Sequence, residues 1–226
     1  MKYPYLLLDA DNTLFDFDAG NRHAFHEVCA RYDIPDTEES FQCYKRCNNA
    51  MWAAFDRGEC TKDFLVVERF RRFLKEMGLD QDAARCNELH LQVLGQNTLL
   101  LPHALEVCRG LSREHRLYIV TNAVAAVQRS RLAGSAIAPY ITGAFISEEA
   151  EASKPSAAYF DYVFSRIDGI TRENCLLVGD SLSSDIRGAN NYGLPCCWYN
   201  PKEAARPEDL RIDYEIRDLR QLYDLV

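Results

Sequence analysis

Asp9-Ala10-Asp11-Asn12-Thr13-Leu14 stands directly after the apolar run Tyr3-Pro4-Tyr5-Leu6-Leu7-Leu8. A short continuous apolar run closed by polar residues reads as a buried parallel strand with chemistry at its carboxyl edge. Two carboxylates two residues apart at such an edge suit a site that holds a divalent cation and attacks phosphorus. One carboxylate can serve as nucleophile while its neighbour handles the proton. Asp, Asn and Thr are also ordinary turn and capping residues, so this segment alone leaves open whether it is a site or an acidic turn.

Ligands of open α/β sheets bind beyond the carboxyl ends of the strands. A site therefore requires polar residues at several strand ends, and the chain has them. Leu117 to Val120 leads into Thr121-Asn122, and Gly143 to Ile146 precedes Ser153-Lys154-Pro155. Cys175 to Val178 ends in Gly179-Asp180-Ser181, with Asp185 five positions after Asp180. Each is weak alone, and Asp185 also suits the cap of the helix that follows. Their common placement at strand ends is what carries weight.

The elements needed to position these residues follow from periodicity. Further strands are expected at Cys196 to Tyr199 and Tyr214 to Ile216. Helices are expected near 103–112, 125–133, 157–167, 183–192 and 218–225. This alternation predicts an α/β fold with a doubly wound, mostly parallel sheet and right-handed crossovers. The segment from Phe17 to Asn97 shows no strand-like run, and its apolar residues (Phe64, Val67, Phe70, Phe73, Leu74) recur at helical spacing. It reads as an all-helical insert. Residues 1–16 and 98–226 then form the α/β core, and 17–97 a helical cap domain. The aromatic stripe reads as the insert's own core, and the charges at Arg69, Arg71, Arg72 and Lys75 as a solvated face. His23 and His26 lack an evident third ligand for a metal.

The chain has 226 residues, 47% hydrophobic and 27% charged, with a net charge of −8. That balance argues against a broad nucleic-acid-binding face, which needs clustered Lys and Arg. No apolar stretch of about 18 residues predicts a membrane span, and the first strand begins too early for a secretory leader. A cytoplasmic protein is the expectation. Its nine cysteines are then free thiols. Cys43 and Cys47 share a helix face and Cys196-Cys197 are adjacent, and neither spacing is a zinc knuckle.

The four strand-end motifs together resemble the haloacid dehalogenase (HAD) superfamily of phosphatases along the whole chain. The insert falls where members with a small helical cap carry theirs. Within that superfamily, Asp9 through Phe17, Ile146-Ser147-Glu148-Glu149 and Cys197-Trp198-Tyr199-Asn200 look like the bacterial noncanonical pyrimidine nucleotidases. Two positions depart from relatives: Ala123 where Gly is usual, and Asn12 where Gly or Glu is common. Neither removes a catalytic group, and both line the expected substrate mouth.

The resemblance implies a phosphomonoester hydrolase, with Asp9 as nucleophile forming an aspartyl-phosphate and Asp11 as general acid and base. It implies Mg²⁺ held by Asp9, the Asp11 carbonyl and Asp180, with Asp185 supporting the metal site. Thr121, Asn122 and Lys154 would bind the phosphate. The expected substrate is a pyrimidine nucleoside 5'-monophosphate, the alternative a sugar phosphate or another small phosphorylated metabolite. Phosphomutase and haloacid dehalogenase activities fit less well; a halide leaving group would give the second acid, Asp11, no task. The motifs leave the oligomeric state open.

Overall fold

The computed structural model describes residues 2–226 of the chain. It divides into two compact units, one formed by the segments up to Asp16 and from Thr98 to Val226, the other by Phe17–Asn97.

In the first unit, β1 (Tyr5–Leu8) begins the sheet. The helical unit follows as α1 (Phe17–Tyr32), α2 (Glu38–Asp56), α3 (Lys62–Glu76) and α4 (Ala83–Gln96). The chain then resumes with α5 (Ala104–Leu111), β2 (Arg116–Thr121), α6 (Ala125–Gly134), β3 (Gly143–Ile146) and α7 (Ala157–Phe164). It ends with β4 (Cys175–Gly179), α8 (Arg187–Tyr192), β5 (Cys196–Tyr199) and β6 (Tyr214–Ile216).

Among the described residues, six strands form one sheet in the order β3-β2-β1-β4-β5-β6, and every neighbouring pair is parallel. From β1 the chain builds outward to β3, then returns to the other side of β1 as β4. The reversal opens a crevice at the carboxyl ends of β1 and β4, where such sheets bind ligands. Asp9 and Asp180 are the residues that follow those two strands.

Both faces of the sheet are covered, which is why the strands read as continuous apolar runs. Leu6, Leu8, Leu117, Ile119, Leu176 and Val178 pack against Val107 and Cys108 of α5 and against Leu219 and Leu222. Leu7, Tyr118, Val120, Cys175 and Leu177 face the other way, against Tyr159, Phe160 and Val163 of α7 and Ala189 of α8. Each fully buried Leu, Val or Phe contributes about 1.5–3 kcal/mol, so the site stands on rigid ground.

Several elements differ from the periodicity. Helix α7 stops at Phe164, three residues short of the expected end, and the last helix is a 3₁₀ segment, Leu219–Asp224. Its start is a capping box between Asp218 and Gln221. The expected helix 183–192 begins as a π-helical turn, Leu182–Ile186, in which the Ile186 N–H bonds the Ser181 carbonyl at 3.1 Å.

The helical unit has its own aromatic core: Phe25, Phe41, Tyr44, Phe70 and Phe73 are buried together, with Phe25 stacked on Tyr44 at 4.9 Å. Thr37, Thr61 and Asp82 cap α2, α3 and α4. The solvated-face reading fails at Arg69, which is 2% exposed. Its guanidinium donates to Asn48 Oδ1 at 2.8 Å and Asn87 Oδ1 at 3.1 Å, and faces His90 Nδ1 at 3.3 Å. Arg71 and Arg72 pair with Glu68 at the surface.

His26 pairs with Asp36 at the surface, and His23 is exposed. The nine cysteines are unpaired. Cys43 and Cys47 turn toward Glu76, with Sγ–Oε distances of 3.2 and 3.6 Å. Burial and Glu76 push the Cys47 thiol up to about 12, so both sulfurs act as protonated donors to that carboxylate. No helix among the described residues is long and apolar enough to cross a membrane.

Candidate active site

The loop after β1 folds back on itself. The Asp9 N–H joins the Val178 carbonyl of β4 at 2.8 Å, and both Leu14 and Phe15 N–H bond Ala10 O at 2.9 Å. Asn12 takes φ 59°, a left-handed conformation that Gly and Asn tolerate better than other residues. That accounts for Asn at a position where Gly would also serve. The loop presents Asp9 and Asp11 on its way to Asp16.

At the centre lies Lys154, 1% exposed. Its ammonium donates to Asp9 Oδ1 and Asp185 Oδ1, each at 2.6 Å, and to the Val120 carbonyl at 2.7 Å. Three N–H groups therefore meet three acceptors. Burial opposes the Lys154 charge, yet Asp185 and Asp9 outweigh it and raise its affinity for the proton.

Asp180 completes the acidic set: carboxylate oxygens of Asp9, Asp180 and Asp185 lie within 4.8 Å of one another. The Thr13 hydroxyl stands between two of them, 3.3 Å from Asp9 Oδ2 and 3.2 Å from Asp180 Oδ1. Trp198 Nε1 fixes the Asp180 carbonyl at 2.9 Å. Burial, with Asp185 and Asp180 beside it, pushes Asp9 well above the usual carboxylate range against the pull of Lys154. Asp180 is pushed up to about 7, first by burial and then by Asp185. Three carboxylates share one ammonium, so the pocket is short of positive charge.

Asp185 is fully buried and accepts from Lys154 and from the Ser181 N–H at 3.0 Å. The cap reading for Asp185 does not hold, because Ser181 fills that place and accepts from the Ser184 N–H at 3.2 Å. The π-helical turn tips Asp185 inward, and π-turns gather at functional sites.

Thr121 is buried at the end of β2, and its oxygen accepts from the Ala123 N–H at 3.1 Å, leaving its proton to donate elsewhere. Tyr159 accepts from the Thr121 N–H at 3.1 Å and donates to the Phe145 carbonyl at 2.7 Å. The Asn122 side chain clasps the Lys154 backbone in both directions, at 2.8 and 3.0 Å. Asn122 thus holds the lysine loop.

Sequence reasoning missed four polar residues that shape this region: Thr13, Tyr159, Gln128 and Arg131. Arg131, on α6, is ion-paired with Asp11 and is itself buried. Thr13 lay inside the first motif and its hydroxyl was a readable signal. The others sit inside helices, where polar residues usually face solvent.

The sequence pattern of haloacid dehalogenase-like hydrolases matches residues 3–193, and the chain belongs to that family. It is similar to the HAD-hydrolase YfnB of Bacillus subtilis, 36% identical over all of this chain and 96% of that one. The crystal structure of YfnB, bound to magnesium, superposes with a TM-score of 0.95 over 100% of this chain and 99% of that one. The chain is also similar to the pyrimidine 5'-nucleotidase PynA of Streptococcus pneumoniae, 32% identical over 99% of this chain and 95% of that one. A third relative, the pyrimidine 5'-nucleotidase YjjG of Escherichia coli, is 29% identical over 100% of this chain and 99% of that one.

Proposed function

We propose that the chain is a Mg²⁺-dependent phosphomonoesterase that works through an aspartyl-phosphate on Asp9 and acts on pyrimidine nucleoside 5'-monophosphates. The observation that carries the chemistry is the Lys154 ammonium held between Asp9 and Asp185, with Asp180 beside them at the sheet's switch point. The full-length similarity to PynA and YjjG supports the choice of substrate.

The donor set fits Mg²⁺, which takes hard oxygen ligands. Three close carboxylates with one lysine leave negative charge that a divalent cation offsets. Asp9, Asp180 and the Asp11 carbonyl would hold it, with Asp185 supporting them. When bound, Mg²⁺ neutralises charge on the transferring phosphoryl group.

In the first step an Asp9 carboxylate oxygen attacks phosphorus, the bond to the ester oxygen breaks, and Asp11 gives that oxygen a proton. In the second, Asp11 takes a proton from water as the water oxygen attacks phosphorus and frees Asp9. Thr121 hydroxyl, the Asn122 N–H and Lys154 donate to the equatorial phosphoryl oxygens. Lys154 has its three N–H groups engaged, so its phosphate contact replaces the bond to Asp9 as that carboxylate becomes esterified. The helical unit is proposed to serve as the cap that keeps bulk water and macromolecules from the reaction. Nine free thiols suit a reducing cytoplasm.

The test is a hydrolysis panel of nucleoside monophosphates, sugar phosphates and phospho-acids, with Mg²⁺ or with chelator. UMP and dTMP are expected to be cleaved fastest, only with Mg²⁺, and not by Asp9→Asn. Faster cleavage of sugar phosphates removes the substrate assignment. Turnover by Asp9→Asn, or with chelator, removes the mechanism.

A further inference from the structure

Helix α6 buries a charged group on the side that meets the Asp9 loop. The Arg131 side chain is 1% exposed, while that of Asp11, to which its Nη1 is bonded, is 24% exposed. The same Nη1 donates to Gln128 Oε1 at 3.2 Å. The guanidinium carbon lies 4.4 Å from the centre of the Phe15 ring. One short loop thus supplies a carboxylate at its open side and an aromatic face at its buried side, and Arg131 spans the two.

That loop is itself fixed. Asn12 N–H bonds Phe15 O at 2.9 Å, Leu101 N–H bonds Leu14 O at 2.8 Å, and Asp16 N–H bonds Leu99 O at 3.0 Å. Arg131 stands in the last turn of α6, where the helix dipole favours a cation. Arg131 can only donate, which turns the Gln128 oxygen toward it. The Gln128 Nε2 is then left buried without an acceptor among the described residues. A helix that served packing alone would carry apolar side chains at 128 and 131, because replacing a buried ion pair by apolar groups is often neutral or stabilising. The polar pair stands where Arg131 touches Asp11.

We propose that Arg131 is a positioning residue that acts through Asp11, setting the direction from which the Asp11 carboxyl exchanges its proton. The bond engages Asp11 Oδ1, and no group among the described residues is bonded to Oδ2. Oδ2 is the oxygen that carries the proton to the departing ester oxygen and later takes one from water. A rigid guanidinium fork seated on a ring holds a carboxylate more tightly than a flexible ammonium does. The inference rests on Asp11 being the general acid, as in the proposed function.

The test compares two esters in single turnovers of the full chain with Mg²⁺, reading release of the leaving group. A nucleoside 5'-monophosphate needs its leaving oxygen protonated; p-nitrophenyl phosphate does not. Arg131→Met is expected to slow release from the nucleotide by about 100-fold, the lower end of what a general acid contributes, and from the aryl ester by only a few fold. Arg131→Lys should recover part of that loss, and Asp11→Asn should show the same split between esters. Equal losses on both esters in Arg131→Met, with the split present in Asp11→Asn, overturn the proposal alone. No split in Asp11→Asn removes the general-acid reading and the proposal with it. If Arg131→Met does not fold, Arg131→Lys decides, since a wild-type ratio between esters in that variant also overturns the proposal.

Discussion

The α-carbon of Gly179 faces the carboxyl group of Asp185 so closely that a β-carbon on residue 179 would lie 2.3 Å from Asp185 Cγ. The strand end and the π-helical turn are therefore packed to the limit of what glycine allows. Gly179→Ala must displace Asp185, and with it the acceptor that orders Lys154. Turnover is expected to fall by at least about 100-fold, since misplacing reactive groups by about 1 Å costs that much. Steady-state kinetics beside a thermal melt check it; an active Gly179→Ala would refute the tight packing.

Lys154 neutralises two buried carboxylates, so its loss is a matter of folding as well as of rate. Lys154→Met leaves Asp9 and Asp185 facing each other without a cation. Removing one partner of a buried ion pair costs about 3–5 kcal/mol. The melting temperature in chelator should drop sharply, and Mg²⁺ should restore part of it. A melt unchanged from wild type would contradict this electrostatic account.

If Asp180 holds the metal as proposed, proton and metal compete at its carboxyl, which is pushed up to about 7 in the folded chain from an ordinary value of 3.8. With the folded value raised, the group's contribution to metal-free stability is complete below about 4 and is lost as pH rises through 7. Binding Mg²⁺ requires the carboxylate. Apparent Mg²⁺ affinity should therefore be about tenfold weaker at pH 6 than at pH 8. Thermal shift in chelator and in Mg²⁺ at both pH values reads this directly, and an equal Mg²⁺ increment at both would refute it.

His90 carries the opposite sign. Burial, and then the Arg69 charge, hold it well below its ordinary value of 6.5. Arg69 can only donate to His90 Nδ1, so Nε2 bears the hydrogen and faces Asn21 Oδ1 at 3.0 Å. The neutral ring's stabilisation is complete above about 6.5 and is lost as pH falls below it, by up to about 1.4 kcal/mol per pH unit. In urea unfolding, the stability of wild type minus that of His90→Gln should fall by that slope from pH 7 to 5, which separates it from the opposite-signed Asp180 contribution; a difference independent of pH would assign the effect elsewhere.

The sheet was readable because strands buried on both faces need unbroken apolar runs, and polar residues interrupt those runs only at their ends. Asp9, Thr121 and Asp180 stand at or beside such interruptions, and Lys154 follows β3 in the loop before α7. Arg131 gave no such signal: one arginine in the last turn of a helix is what dipole complementarity produces on any surface. Arg69 was hidden by its neighbours Arg71 and Arg72, which are solvated and pair with Glu68. Its spacing from Val66, Phe70 and Phe73 places it on the apolar face, and that period was the legible clue. The π-helical turn at Leu182–Ile186 had no sequence signature, since its extra residue is set by where Asp185 must point.

The backbone enters and leaves the helical unit through one doorway. Asp16 and Leu99 are hydrogen-bonded, and Phe15 and Leu100 form an antiparallel bridge, so the catalytic unit has sewn its own edge shut on either side of the insertion. Whatever is carried between those two points can lengthen, shorten or be exchanged while the register of β1 with β2 and β4 stays the same. The stitched edge thus holds the Asp9 loop from its far side, so that loop's geometry is set by the sheet and not by the insert.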